Sequence, residues 1–106
     1  MSSDVTVLMA NLSGQHFIDG VLVAGEGPTT PVIDPATEQI CAVFAEAATA
    51  EIDTAVAAAM RAQRAWWALS ALERTEALHE VATALAEVAP LVGEVMTREM
   101  GKPFVE

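Results

Sequence analysis

A chain of 106 residues with fifteen Asp and Glu against five Lys and Arg carries a net charge of -10. That charge repels phosphate backbones and anionic lipid heads, which excludes nucleic acid and membrane surfaces as ligands. One small domain is the most this length supports, and the high hydrophobic fraction of 53% points to apolar faces that need a partner.

Residues 1–13 contain no Lys or Arg, and the apolar run at 5–10 is interrupted by Thr6. The stretch therefore reads as neither a signal peptide nor a membrane span. Residues 1–15 are expected to form a flexible tail ahead of a folded unit at 16–106. The unit opens on His16-Phe17-Ile18-Asp19-Gly20-Val21-Leu22-Val23, where Asp-Gly between apolar runs signals a tight hairpin. Gly25-Glu26-Gly27-Pro28-Thr29-Thr30-Pro31 follows as a breaker-rich loop. A second strand pair is expected from Pro31-Val32-Ile33 and Ile40-Cys41-Ala42-Val43-Phe44, joined through a turn with Asp34 first and Pro35 second.

From Thr49, a plausible N-cap, the period changes to that of a helix, with Ile52, Val56, Ala59 and Met60 on one stripe leading to Trp66. Ser70-Ala71-Leu72-Glu73 is a capping box that starts a second helix, with Leu78, Val81, Ala82 and Leu85 as its buried stripe. Pro90 suits the first turn of a third helix, which carries Leu91, Val95 and Met96 inward, pairs Glu94 with Arg98 outward, and stops at Gly101-Lys102-Pro103. The expected fold class is α+β: a β-hairpin and a short strand pair followed by three amphipathic helices.

Chemistry-bearing motifs are missing from this pattern. Gly101-Lys102 is followed by Pro103, so no phosphate-binding P-loop exists. The Gly25-Glu26-Gly27 loop has Thr30 where a dinucleotide fingerprint needs Gly or Ala, and its carboxylate repels phosphate. Cys41, the single cysteine, lies in an apolar run that disfavours the thiolate, and it rules out an internal disulfide. A reducing cytoplasm is the expected setting. His16 and His79 lie on different elements without zinc-ligand spacing, and Glu76 with Glu80 reads as a solvated helix face. Of Trp66 and Trp67, one is expected to cap the core and the other to lie at its rim.

The order Phe17-Ile18-Asp19-Gly20, Val32-Ile33-Asp34-Pro35-Ala36-Thr37, Asp53-Thr54-Ala55-Val56, Trp66 with Leu69, Glu73-Arg74 and Glu99-Met100-Gly101-Lys102-Pro103 resembles the start of the NAD(P)-dependent aldehyde dehydrogenase superfamily. The likeness covers residues 16–106. Each motif alone is weak, and five in order at compatible spacing are strong. Glu38 departs from the pattern, standing where the family's turn commonly has Gly. The resemblance implies part of an α/β cofactor-binding domain. It also implies an enzyme that oxidises aldehydes by cysteine thiolate attack, hydride transfer to NAD or NADP, and thioester hydrolysis with a glutamate base. No position here corresponds to that cysteine, that glutamate, the oxyanion-hole asparagine or the cofactor loop, so no catalytic or cofactor-binding residue is assigned and no cofactor is expected on this chain alone. The resemblance further implies a monovalent-cation site, with ligands at Val32, Ile33 and Glu99.

Two functional readings follow. One is a truncated or split aldehyde dehydrogenase, inactive alone, whose partner is the remainder of that fold. The other is a small stand-alone interaction module that buries its helix faces in another protein. Self-association or loose packing of the isolated chain is expected under the first, whereas a monodisperse, cooperatively unfolding monomer would favour the second.

Overall fold

The computed structural model describes residues 3–105. Its elements are α1 (Ser3–Leu12), β1 (Gln15–Ile18), β2 (Val21–Ala24), β3 (Thr29–Ile33), β4 (Ile40–Ala45), α2 (Thr49–Ala68) and α3 (Ala71–Met100). The α+β class is as expected, while α1 and the number of helices after the strands are not.

Both strand pairs follow from their turn residues. β1 and β2 pair antiparallel with Ile18 opposite Val21, and the two residues between them, Asp19 and Gly20, have φ of 53° and 80°. Positive φ at both central positions is the turn whose twist matches that of the flanking strands. β3 and β4 also pair antiparallel, Thr29 opposite Ala45 and Ile33 opposite Ile40, with an irregularity between Val32 and Ile33. Thr29 and Thr30, expected in a loop, extend β3 ahead of Pro31. Each pair stays a separate two-stranded sheet, and Pro31 is tolerated because β3 has a neighbour on one side only.

Residues 1–15 were expected as a tail, yet Ser3–Leu12 is helical and Val5 and Met9 are buried. Two apolar side chains at i and i+4 share one helix face, and that face has something to pack on. β-branched Val5, Thr6 and Val7 lower the local helix propensity; tertiary burial overrides it.

α2 begins at Thr49, the residue expected as its cap, so the cap falls one residue earlier. Ala48 is the N-cap and has no side-chain acceptor, so Glu51 supplies one, its Oε1 accepting the Ala48 N–H at 3.0 Å and the Glu26 N–H at 2.6 Å. These two amides, Ala48 first, hold the Glu51 carboxyl below its ordinary range. The helix turns an alanine face to the hairpin, with Ala55, Ala58 and Ala62 beside Phe17 and Ile18. The stripe of Ile52, Val56 and Met60 points away, each side chain more than half exposed. Small residues let helix and hairpin approach closely; the large ones are left without a partner.

α3 is one helix where two were expected. It runs through Pro90, although proline removes the hydrogen bond to the Ala86 carbonyl and usually costs ~3 kcal/mol or more inside a helix. The residues before it, from Leu85 to Ala89, are mostly good helix formers with no turn chemistry among them, so no alternative local conformation competes. The ends of α3 are as the sequence reading has them. Ser70 Oγ accepts the Glu73 N–H at 3.2 Å and Glu73 Oε2 accepts the Ser70 N–H at 2.7 Å. Gly101 takes the left-handed cap at φ 75°, its N–H bonded to the Thr97 carbonyl. Ser70→Ala is expected to cost about 1 kcal/mol of helix stability, measured by chemical melts. The hydrogen bonds from Ser70 hold the Glu73 carboxyl below its ordinary range. The cap's contribution is therefore present above the unfolded carboxyl pKa and fades as pH falls through the lowered folded value.

The molecule is extended, with a radius of gyration of 16.8 Å where a compact domain of this length has about 13 Å. Its accessible surface of 7789 Å² exceeds the roughly 5,700 Å² of a compact monomer of this mass. Among the described residues only Val5, Met9 and Ala58 are buried. Leu78, Val81 and Leu85, expected as a buried stripe, are each more than half exposed. Neither tryptophan is buried; Trp67 lies under the guanidinium of Arg74, 4.9 Å from its ring centre.

Candidate functional site

Apart from Asp53-Thr54-Ala55-Val56 inside α2, the motifs that carry the sequence resemblance form bends and joints. Glu73 caps α3, and its neighbour Arg74 reaches back to the carbonyls of Trp67 and Leu69 at the end of α2, a cation where the helix dipole is negative. In the Asp34 turn, Oδ1 accepts the Ala36 N–H at 2.8 Å, while the Asp34 carbonyl accepts the Glu38 N–H at 2.8 Å. Glu38 is held at φ 59°, the left-handed conformation a glycine would adopt without strain.

Two of these joints meet. A Cβ on Gly101 would lie 3.0 Å from Pro35 Cγ, so the stop of α3 packs directly on the turn between β3 and β4. Cys41 completes the junction. With Val32 opposite Ala42 and Ile33 opposite Ile40, Cys41 is the extra residue of a bulge. Its Sγ lies 3.4 Å from the Val32 carbonyl and 3.9 Å from the Arg98 carbonyl, donating toward both. Burial pushes the thiol pKa up, and the charges of Asp34 and Glu99 push the same way, against its backbone hydrogen bond and Arg98. A thiol kept protonated this way is a poor nucleophile.

The three residues with an expected cation role lie around this junction. Val32 and Glu99 line one cleft, and Ile33 ends β3 with its side chain partly exposed. Two main-chain carbonyls and a carboxylate are the oxygen donors that a hard cation takes, so the donor set fits in kind. Among the described residues no three His, Cys, Asp or Glu side chains converge on a metal position; carbonyl donors would have to complete the set. Cys41 as the linking residue was not legible from sequence, because a bulge leaves no signature in an apolar run.

The Gly25-Glu26-Gly27 loop is committed elsewhere. The Gly25 N–H bonds to the Gly14 carbonyl, the Gly27 N–H to the Glu46 carbonyl, and the Glu26 N–H to Glu51. With all three amides occupied inside the chain, the loop cannot cradle a phosphate. His16 has a structural role: its Nε2 is 2.8 Å from the Ala45 carbonyl and its ring meets Phe44 edge-on at 5.9 Å, tying the first strand pair to the second. His79 is exposed on α3, as are Glu76 and Glu80.

Comparison with known proteins decides what this arrangement belongs to. The sequence model described as "Aldehyde dehydrogenase family" matches residues 22–106. This chain belongs to the aldehyde dehydrogenase family. N-succinylglutamate 5-semialdehyde dehydrogenases of Burkholderia cenocepacia and Burkholderia vietnamiensis are 38% and 39% identical to it over 90 residues, 85% of this chain and 18% of theirs. Among solved structures, an aldehyde dehydrogenase from Bartonella henselae aligns with TM-score 0.83 at 26% identity, covering 88% of this chain and 20% of that one. An NAD-dependent benzaldehyde dehydrogenase from Corynebacterium glutamicum aligns with TM-score 0.80 at 29% identity, covering 87% and 20%. The chain thus spans about a fifth of the length of these aldehyde dehydrogenases. No helix among the described residues is long and apolar enough to cross a membrane.

Proposed function

We propose that this chain is the N-terminal segment of a cytoplasmic, NAD(P)-dependent oxidoreductase that converts aldehydes to carboxylic acids, and that it is inactive alone. The observation that carries the reading is the family match across residues 22–106 in a chain whose large apolar stripes on α2 and α3 face outward. Those stripes are the surface against which the remainder of the fold packs. The NAD or NADP cofactor belongs to the complete enzyme, because the one glycine loop here has its amides occupied. This segment's contribution is positional. At the junction of the Asp34 turn with the end of α3, the carbonyls of Val32 and Ile33 and the carboxylate of Glu99 supply part of a monovalent-cation site that the remainder of the fold completes. No observation favours the stand-alone module.

Grafting tests the reading. When this chain replaces the corresponding segment of the Burkholderia cenocepacia enzyme, a soluble chimera with NAD(P)-dependent dehydrogenase activity is expected; an insoluble or inactive chimera overturns it. Purified alone, the chain is expected to reduce neither NAD nor NADP with any aldehyde, since it presents neither a thiolate nucleophile nor a phosphate cradle. Spectrophotometry at high protein concentration checks this. Cofactor reduction that vanishes in Cys41→Ser would reverse both the inactivity and the assignment of that thiol.

A further inference from the structure

In sequence Glu99 stands between Arg98 and Lys102, yet it pairs with neither; among the described residues the ion pair is that of Arg61 with Asp19. Glu99 lines a cleft of about 310 Å³ with apolar side chains for most of its walls, Leu8 and Leu12 of α1 and Phe44 of β4 among them. The Arg98 guanidinium is engaged by α1, its Nη1 donating to Thr6 Oγ1 at 2.9 Å. α1 is itself packed on α3, with Val5 and Met9 buried. The Arg98 carbonyl lies 3.9 Å from Cys41 Sγ, so main chain and side chain of the residue before Glu99 are held by two different elements. Burial foremost raises the pKa of that thiol, and the charges of Asp34, Glu99 and Arg98 all reach it, which puts carboxylate and guanidinium around one sulfur.

We propose that Thr6 is a positioning residue for the monovalent-cation site: it holds the Arg98 guanidinium on α1 and so keeps the protein's own cation off Glu99, whose carboxylate stays open to an external ion. This role rests on the cation reading given above, and it adds to that site a residue lying before the stretch, 22–106, that the family model matches. Adjacent side chains on a helix diverge, so Arg98 does not meet Glu99 by default. Its arm is long enough to curl back when nothing else accepts from it, and a guanidinium that reaches a carboxylate donates charge-assisted hydrogen bonds which a dissolved ion must displace. The threonine hydroxyl, a neutral acceptor, removes that competitor. A single carboxylate with main-chain carbonyls then faces an ion of one positive charge, while a strongly hydrated divalent ion would lose water against apolar walls that return no ligand.

Sodium NMR relaxation, which registers weak binding in fast exchange, tests this on the full chain, with Glu76→Gln as a charge control on the exposed face of α3. The unsubstituted chain and the control are expected to broaden the sodium resonance saturably, and Glu99→Gln to lose the saturable part. Thr6→Val, similar in shape and equally β-branched, is expected to weaken sodium binding about two- to fivefold, the advantage that an exposed ion pair gives a competing guanidinium, while Thr6→Ser keeps it. Adding Arg98→Ala to Thr6→Val is expected to restore binding to the level of Arg98→Ala alone, because the competitor is gone; a merely structural Thr6 would give no such recovery. Unchanged binding in Thr6→Val, or no recovery in the double variant, overturns the role of Thr6 and leaves the cation reading standing. A sodium response that Glu99→Gln alters no more than Glu76→Gln does overturns the cation reading and the role of Thr6 with it.

Discussion

Purified alone, the chain is expected to self-associate, with light scattering reporting species larger than a monomer and apolar dyes binding strongly. The stripes of Ile52, Val56 and Met60 on α2 and of Leu78, Val81 and Leu85 on α3 are all more than half exposed. Each such side chain forgoes about half of the roughly 1.5 to 3 kcal/mol that complete burial supplies, so together they rival the lower part of the 5 to 15 kcal/mol of marginal stability expected of a small domain. The surface in excess of a compact monomer is about 2,000 Å², well above the ~800 Å² that one partner contributes to a standard interface. Net charge of -10 opposes association through repulsion that salt screens, so association is expected to strengthen as ionic strength rises. Val56→Glu with Val81→Glu is expected to reduce it. A monodisperse monomer at all salt concentrations, with cooperative unfolding and strongly protected helix amides, would contradict this result and with it the picture of a segment lacking its partner.

Gly27→Ala is expected to destabilise the β region by about 3 kcal/mol, the upper end of what forcing atoms into a packed site typically costs. A Cβ there would lie 2.5 Å from the Glu46 carbonyl oxygen and 2.9 Å from its carbon. Both are backbone, and neither can yield without breaking the bonds from the Gly27 N–H to Glu46 and from the Glu46 N–H to Pro28. Gly20→Ala is the control. That position has φ of 80° with nothing within 4 Å, so its substitution carries only the cost of a left-handed alanine, about 1 to 2 kcal/mol. Amide exchange across all four strands of the two variants checks the order; equal effects would show that Gly27 is needed for conformation and not for space.

Local chemistry was legible in the residues themselves. The Asp19-Gly20 turn, the Asp34-Pro35 turn, the Ser70 and Glu73 box and the Gly101 stop each depend on a few neighbouring dihedrals and hydrogen bonds, which residue type controls directly. The family was legible for the same reason, since its recurring motifs here are these turns and caps. Tertiary structure decided what depends on distant contacts. Whether residues 3–12 are helical turned on a seat against α3 and on the burial of Val5 and Met9, and periodicity within so short a stretch does not reveal that seat. Which face of α2 is inward turned on how closely it approaches the hairpin; an alanine face permits a contact that Ile52, Val56 and Met60 would hold apart. Pro90 ends a helix only where another conformation competes, and local sequence offered none. The meeting of Pro35 with Gly101, with Cys41 between the carbonyls of Val32 and Arg98, joins the β3–β4 turn to the far end of α3, a proximity that pairing and packing create and that no spacing along the chain encodes.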